Sequence, residues 1–208
     1  MRYSPGHKEA TRERLLDLSS AISKERGFGS MSVDTLMTAA GLTGGAFYAH
    51  FKSKEDLFVQ VIGRELARSL EMLSPEEGQT PAGWLSKTFD TYLNVGHVRH
   101  PESGCVVPSL GAEIARAEPE VKKLYEAAMI AVKERWTEGV GDSDVAWAVI
   151  CQLIGTIVVA RAMSSRRVME EIVNASRTQL ERTIAATPAA LQHTNTDEPS
   201  KKRRTRKP

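Results

Sequence analysis

Apolar residues recur at three- and four-residue intervals along most of the chain, and no stretch alternates apolar with polar residues between hairpin turns. That spacing predicts helices and no strands. Leu15, Leu18 and Ile22 mark the inner face of a first helix over about residues 8–26, which Gly27 stops. Ser32 is placed to cap a short second helix over 33–40, with Leu36, Met37 and Ala40 facing inward and Gly41 able to take the left-handed conformation at its end. Leu42 leads to a third helix opened by Thr43, whose hydroxyl is positioned to cap it, with Phe47 and Phe51 on the inner side. The result is a tight helix-turn-helix.

The remaining elements follow from the same period. Ser53 and the acidic turn Glu55-Asp56 open a long fourth helix through Leu57, Phe58, Val61, Ile62, Leu66 and Leu70, which Ser74, Pro75 and Gly78 break. A fifth helix spans 81–97 with Trp84, Leu85, Phe89, Tyr92 and Leu93, and another begins near Cys105 or Pro108. Pro119 suits the first turn of a helix running through Val121, Leu124, Met129 and Val132 to Trp136, ended by Gly139 and Gly141. The last two helices span 142–163 and 165–186. The fold class is all-α: a three-helix N-terminal unit with a helix-turn-helix over 1–52, a larger helical domain over 53–186, and about nine helices in all.

Composition adds boundaries rather than detail. With 208 residues, 41% of them hydrophobic, the chain can bury a sizeable core, and a formal net charge of +2 leaves any nucleic-acid surface to be local. Two cysteines, Cys105 and Cys151, are too few for a disulfide framework, and the chain opens without a charged-then-apolar signal, so a reducing cytoplasm is the expected setting. The stretch 145–163 approaches the length of a membrane span, but Gln152, Gly155, Thr156 and Arg161 interrupt it, and a buried helix is expected with no membrane partner. From Thr187 the sequence turns polar and ends in Lys201, Lys202, Arg203, Arg204, Arg206 and Lys207, a basic tail over 187–208 expected to be disordered and solvated, with sequence-independent attraction to DNA as the alternative role.

Residues 43–57 carry the sharpest signal. Tyr48, His50, Phe51, Lys54, Glu55 and Leu57 follow one another in the pattern that closes the DNA-binding domain of TetR/AcrR-family transcriptional regulators, and the first quarter of the chain resembles that family. The residues support the same reading independently. A short helix of small residues can enter a major groove about 12 Å wide while its neighbours hold phosphates. Phe47 and Phe51, four apart, can face the core while Tyr48 and His50 diverge outward. Lys54 sits in a first helical turn where a cation opposes the dipole, so a phosphate is a reason for it to be there.

The resemblance implies that Thr43, Gly44, Gly45 and Tyr48 lie near the bases and that Ser32, Tyr48, His50 and Lys54 lie on the backbone of double-stranded DNA. Gly44-Gly45 departs from the family's commoner small-polar pair and offers no side chain to read a base, which shifts weight to shape and to neighbouring residues. A palindromic operator requires two recognition helices about 34 Å apart, hence a homodimer. Ala146, Val149, Ile150, Leu153, Ile157 and Ala160 are the expected interface face, with the chain's own core as the alternative.

Sensing falls to the larger domain. Trp84, Phe89, Tyr92, Met129 and Trp136 are candidates to line an apolar pocket for a small-molecule effector, although such side chains more often fill cores. Cys105 follows Gly104 at an expected helix start, where amide dipoles favour a thiolate; the resemblance adds that some regulators with a Gly-Cys pair here sense reactive compounds, while a small buried residue is the plainer reading. His97, His100, Glu102 and Cys105 crowd one segment, but solvated loop histidines are commoner than sites, so neither metal nor cofactor is expected. The implied function is a DNA-binding regulator, by family default a repressor released by a signal. The alternatives are a helical enzyme or a protein-interaction module. Against the enzyme, no phosphate-binding glycine loop, metallohydrolase histidine pair or nucleophile elbow is present.

Overall fold

A computed structural model describes residues 5–74 and 79–187. Among the described residues there are nine α-helices, two 3-10 turns and no strand. The helices are α1 (Pro5–Arg26), α2 (Val33–Ala39), α3 (Lys54–Met72), α4 (Pro81–Tyr92), α5 (Val95–Arg99), α6 (Val107–Arg116), α7 (Pro119–Val140), α8 (Ser143–Arg161) and α9 (Arg166–Ala185). The 3-10 turns are Gly44–Ala49 and Pro101–Ser103. Pro75, Gly78 and residues 188–208 of the basic tail lie outside the described residues, whereas Thr187, expected to begin that tail, is buried and its Oγ1 donates to the Ile184 carbonyl at 2.8 Å.

The N-terminal unit closes around Leu15, Leu36, Met37, Phe47, Phe51, Leu57 and Ile62, all buried. Ser32 Oγ accepts from the Thr35 N–H at 3.0 Å and starts α2. Gly41, at φ +68°, turns the chain out of α2 into the next element, a conformation that costs L-residues with a Cβ about 1 kcal/mol or more. The inner face of α1 is broader than Leu15, Leu18 and Ile22 suggest. Leu16, Ser19, Ser20, Ser23 and Lys24 are buried, while Leu18 and Ile22 lie at its margin. Small serines let neighbouring helices approach, and Ser19 Oγ donates to the Leu15 carbonyl at 2.6 Å, so its polarity is satisfied inside the helix.

Two boundaries differ from expectation. The helix expected over 81–97 is two helices, because Asn94 leaves helical geometry and its Oδ1 accepts from the His97 N–H at 2.9 Å, capping α5 anew. Gly139 does not end α7, which continues to Val140 before Gly141 turns it. A Cβ at Gly139 would lie 2.2 Å from Trp84 Cζ3, so the glycine is there for the close approach of the indole.

The body packs α8 against both α7 and α9, with α3 reaching from the N-terminal unit onto α7. Helix α8 has the length and apolar composition of a membrane span and is the central helix of this bundle. Ala146, Val149, Ile150, Leu153, Ile157 and Ala160, expected at a subunit interface, are all buried in the chain's own core. A helix flanked by two others must spend its most regular apolar face inward. The large apolar residues of α8 left exposed are Trp147, Val158 and Val159, and Leu124 and Ile130 are exposed on α7, where Leu124 was expected inside.

Candidate nucleic-acid interface and buried cysteine

The candidate DNA-reading element is the 3-10 turn Gly44–Ala49 rather than an α-helix. Two glycines open it, weak helix formers that leave little to hold an α-helical first turn. Its bonds are short-range: Ala46 N–H donates to the Thr43 carbonyl at 3.0 Å and His50 N–H to the Phe47 carbonyl at 2.9 Å. Thr43 makes no side-chain cap, contrary to expectation, and only its carbonyl joins the element, accepting from the Ala46 N–H.

Phe47 and Phe51 anchor this turn, their centroids 5.4 Å apart in the core. Tyr48 is turned out and 68% exposed, its ring held edge-on by Phe47 at 5.3 Å. The ring is thereby fixed at its inner edge and open to a partner molecule on its outer side. Ser32, Thr35, Thr43 and Gly45 are also exposed, and a Cβ at Gly45 would meet nothing, whereas one at Gly44 would lie 2.7 Å from Asp34 Oδ1. The beginning of α2 and the beginning of the 3-10 turn therefore lie side by side.

His50 is partly buried with Nδ1 lacking a hydrogen-bond partner among the described residues. Burial lowers its pKa, reinforced by the positive charges of Lys8 and Arg12 on α1. Those two basic groups bring positive charge to this face, and sequence reasoning passed over them because they lie forty residues from the motif in a helix read only for its apolar side. Arg12 also donates to Gln60 Oε1 and lies 5.5 Å from the centre of the Phe51 ring. Lys54 has a structural occupation as well: its Nζ donates to the Gly29 carbonyl at 3.3 Å and lies 5.1 Å from the centre of the Phe28 ring. Ser53 Oγ accepts from the Asp56 N–H at 3.1 Å, and Asp56 Oδ2 accepts from the Lys52 N–H at 2.9 Å, so α3 starts from a doubly fixed turn.

In the body, Trp84, Phe89, Tyr92, Met129 and Trp136 lie in the core, with Trp84 and Trp136 centroids 4.9 Å apart and Phe89 stacked 6.3 Å from Trp136. Trp84 Nε1, Trp136 Nε1 and the Tyr92 hydroxyl are buried without a hydrogen-bond partner among the described residues. Met129 also lines an open groove of about 590 Å³ between α7 and α8, beside Tyr125, Ile130, Trp147, Cys151 and Ile154.

Cys105 precedes α6 by two residues and is 1% exposed, so it is neither in the first turn nor open to solvent. Its N–H donates to His97 Nε2 at 3.1 Å. Burial, and then the neighbouring Cys105 thiol, hold the Tyr92 hydroxyl well above its ordinary pKa, although the contact falls short of a hydrogen bond. Burial holds His97 below its ordinary value. The crowded segment divides: His97 turns inward onto Cys105 and the Tyr92 carbonyl, while His100 is exposed and faces Glu102 at 3.2 Å. Cys151 is a free, exposed thiol.

A family model, "Bacterial regulatory proteins, tetR family", matches residues 15–61. The HTH-type transcriptional repressor NemR of Escherichia coli strain K12 is 29% identical over 123 residues, 56% of this chain and 60% of NemR. The transcriptional regulator AcuR of Cereibacter sphaeroides is 29% identical over 116 residues, 54% of this chain and 51% of AcuR. The match thus spans 51% of AcuR and 60% of NemR. The crystal structure of E. coli NemR in its reduced form aligns with a TM-score of 0.72 at 21% identity, covering 86% of this chain and 99% of that one, a likeness of fold.

Proposed function

Through its N-terminal domain this chain belongs to the tetR family of bacterial regulatory proteins, and from that premise we propose that it is a homodimeric, cytoplasmic transcriptional repressor, not an enzyme, which leaves a palindromic operator when its helical body receives a signal. The observation that carries the reading is Tyr48: a large ring, 68% exposed, held on a short 3-10 element whose other aromatic residues form the core. Ser32, Thr43, Gly44, Gly45, Tyr48, His50 and Lys54 form the proposed DNA surface, with Lys8 added on α1. Kept neutral by its surroundings, His50 serves as a donor to phosphate rather than as a charge.

The proposed dimer uses the exposed side of α8, where Trp147, Ile154 and Val158 lie along one stripe with Cys151. A buried aromatic cluster in which three donors lack partners among the described residues suits an effector that would supply acceptors, and Trp84, Tyr92 and Trp136 are its proposed contacts. Cys105 is a proposed site for reactive compounds, reached only when the structure around it opens.

The test is binding of the purified protein to DNA flanking its own gene at two salt concentrations, with Tyr48→Ala beside it. We expect specific binding that weakens steeply with salt and falls at least tenfold in Tyr48→Ala. Equal affinity of wild type and variant, or no site bound above the non-specific level, would end the reading.

A further inference from the structure

One peptide group joins the N-terminal unit to the body. The carbonyl of Gly104 accepts from Lys24 Nζ at 3.1 Å, and the N–H at the other side of the same peptide, that of Cys105, donates to His97 Nε2 at 3.1 Å. Lys24 is on α1, and its ammonium is 2.8 Å from Glu65 on α3, the two side chains being only 5% and 3% exposed. His97 is on α5.

The tautomer of His97 follows from its partners. Nδ1 lies 2.8 Å from the Tyr92 carbonyl, which can only accept, so Nδ1 carries the hydrogen and Nε2 offers its lone pair to Cys105. The ring is seated tightly, because a Cβ at Gly104 would lie 2.3 Å from His97 Cδ2. Arg161 on α8 closes the frame, donating to the carbonyls of His97 at 3.1 Å and Val98 at 3.3 Å and to Ser109 Oγ on α6 at 2.7 Å. The charged and titratable groups around the joint are therefore Lys24, Glu65 with Arg68 on its other oxygen at 2.7 Å, Tyr92, His97, Cys105 and Arg161.

A peptide group is planar, so its oxygen and its hydrogen cannot turn independently. A tilt that withdraws the Cys105 N–H from His97 also withdraws the Gly104 oxygen from Lys24. We propose that the Gly104–Cys105 peptide is the joint through which the body and the DNA-binding unit sense each other, with Lys24 and His97 as its positioning residues. While the peptide is seated, α1 is tied to α5 and α8. Disturbance at the Cys105 thiol turns the peptide and frees α1 to move with the DNA-reading turn. The inference rests on the regulator reading for its purpose, but not for its test.

Coupling is reciprocal, so a change at Lys24 must be readable at Cys105. The readout is the rate at which N-ethylmaleimide alkylates Cys105 in the full chain carrying Cys151→Ser. The thiolate sulfur adds to one alkene carbon, and a proton goes to the other. The variant Lys24→Met/Glu65→Gln removes the donor without stranding a buried carboxylate. Against Leu18→Ala as a control at equal fractional thermal stability, it is expected to raise the rate at least tenfold. His97→Phe is expected to do the same from the body's side, while His97→Gln, whose side-chain oxygen can accept from Cys105, restores a slow rate. Rates equal to the control in both Lys24→Met/Glu65→Gln and His97→Phe would overturn the joint. In a second arm, saturating DNA from around the gene slows alkylation in the Cys151→Ser parent but not in Lys24→Met/Glu65→Gln; bound DNA that leaves the parent rate unchanged would also overturn it. If no DNA binds, the regulator reading fails, and the alkylation rates still decide the joint.

Discussion

His97 has to stay neutral to accept from Cys105, and this requirement is visible in stability against pH. An unfolded imidazole protonates near 6.5, the folded ring below that value, because burial, with Arg161 and Lys24 nearby, opposes its charge. The unfolded state therefore binds more protons in that interval, and the contribution is complete above about pH 6.5 and is lost as pH falls through the folded value. Glu55, Asp56 and Glu65 are held below their ordinary values and titrate lower, so they stay out of this window. His50 shares the direction of His97, so the comparison must be differential. Urea midpoints at pH 7.5 and 5.5 are expected to fall less in His97→Gln than in wild type. Parallel losses would show that His97 does not titrate between the two states. Sequence reasoning singled out His97 and Cys105 as neighbours in a crowded segment, but not that one turns inward while His100 stays in water, since that depends on Asn94 restarting the helix.

For α8, periodicity and packing gave different answers. Its small and β-branched stripe from Ala146 to Ala160 reads equally well as a subunit interface or as a core, and flanking by α7 and α9 made it core. Two substitutions separate the faces. Ile150→Ala, at a position 1% exposed, is expected to cost about 2–5 kcal/mol in chemical denaturation. Trp147→Lys, at a position 36% exposed, is expected to leave the folded chain stable at low concentration and to shift it from dimer to monomer in analytical ultracentrifugation. A dimer unchanged by Trp147→Lys would place the interface elsewhere. The turn proposed to read DNA shows the same effect on a smaller scale. Caps at Ser32 and Ser53 were legible as short-range chemistry, whereas the 3-10 form of Gly44–Ala49 was not, because the core holding Phe47 and Phe51 sets its geometry against weak local preference.

At the scale of the whole molecule, the N-terminal unit is held to the body by a second grip. Glu113 on α6 accepts with Oε1 from the Phe28 N–H and with Oε2 from the Gly29 N–H, each at 3.0 Å, and Lys54 donates to the Gly29 carbonyl from the other side. The loop between α1 and α2 is thereby fixed from both α6 and α3. Glu113→Gln keeps one acceptor and replaces the other with a donor facing a donor, which is expected to cost about 1–3 kcal/mol locally. Since this loop leads into α2, we expect amide hydrogen exchange at Phe28 and Gly29 to quicken at least tenfold while exchange in α7 and α8 is unchanged. Uniform acceleration would mean global destabilisation instead of a local hinge.

The sequence by itself determined the helical class, the capped helix-turn-helix, the inward pair Phe47 and Phe51 and the resemblance carried by residues 48–57, because caps, turns and periodicity act over a few residues. Tertiary structure decided which apolar stripe of α8 is buried, that Cys105 is enclosed rather than open, that Lys8 and Arg12 lie beside His50, and that one peptide group joins Lys24 to His97. Each of these depends on residues between eight and eighty positions apart meeting in space, and no local periodicity carries that information.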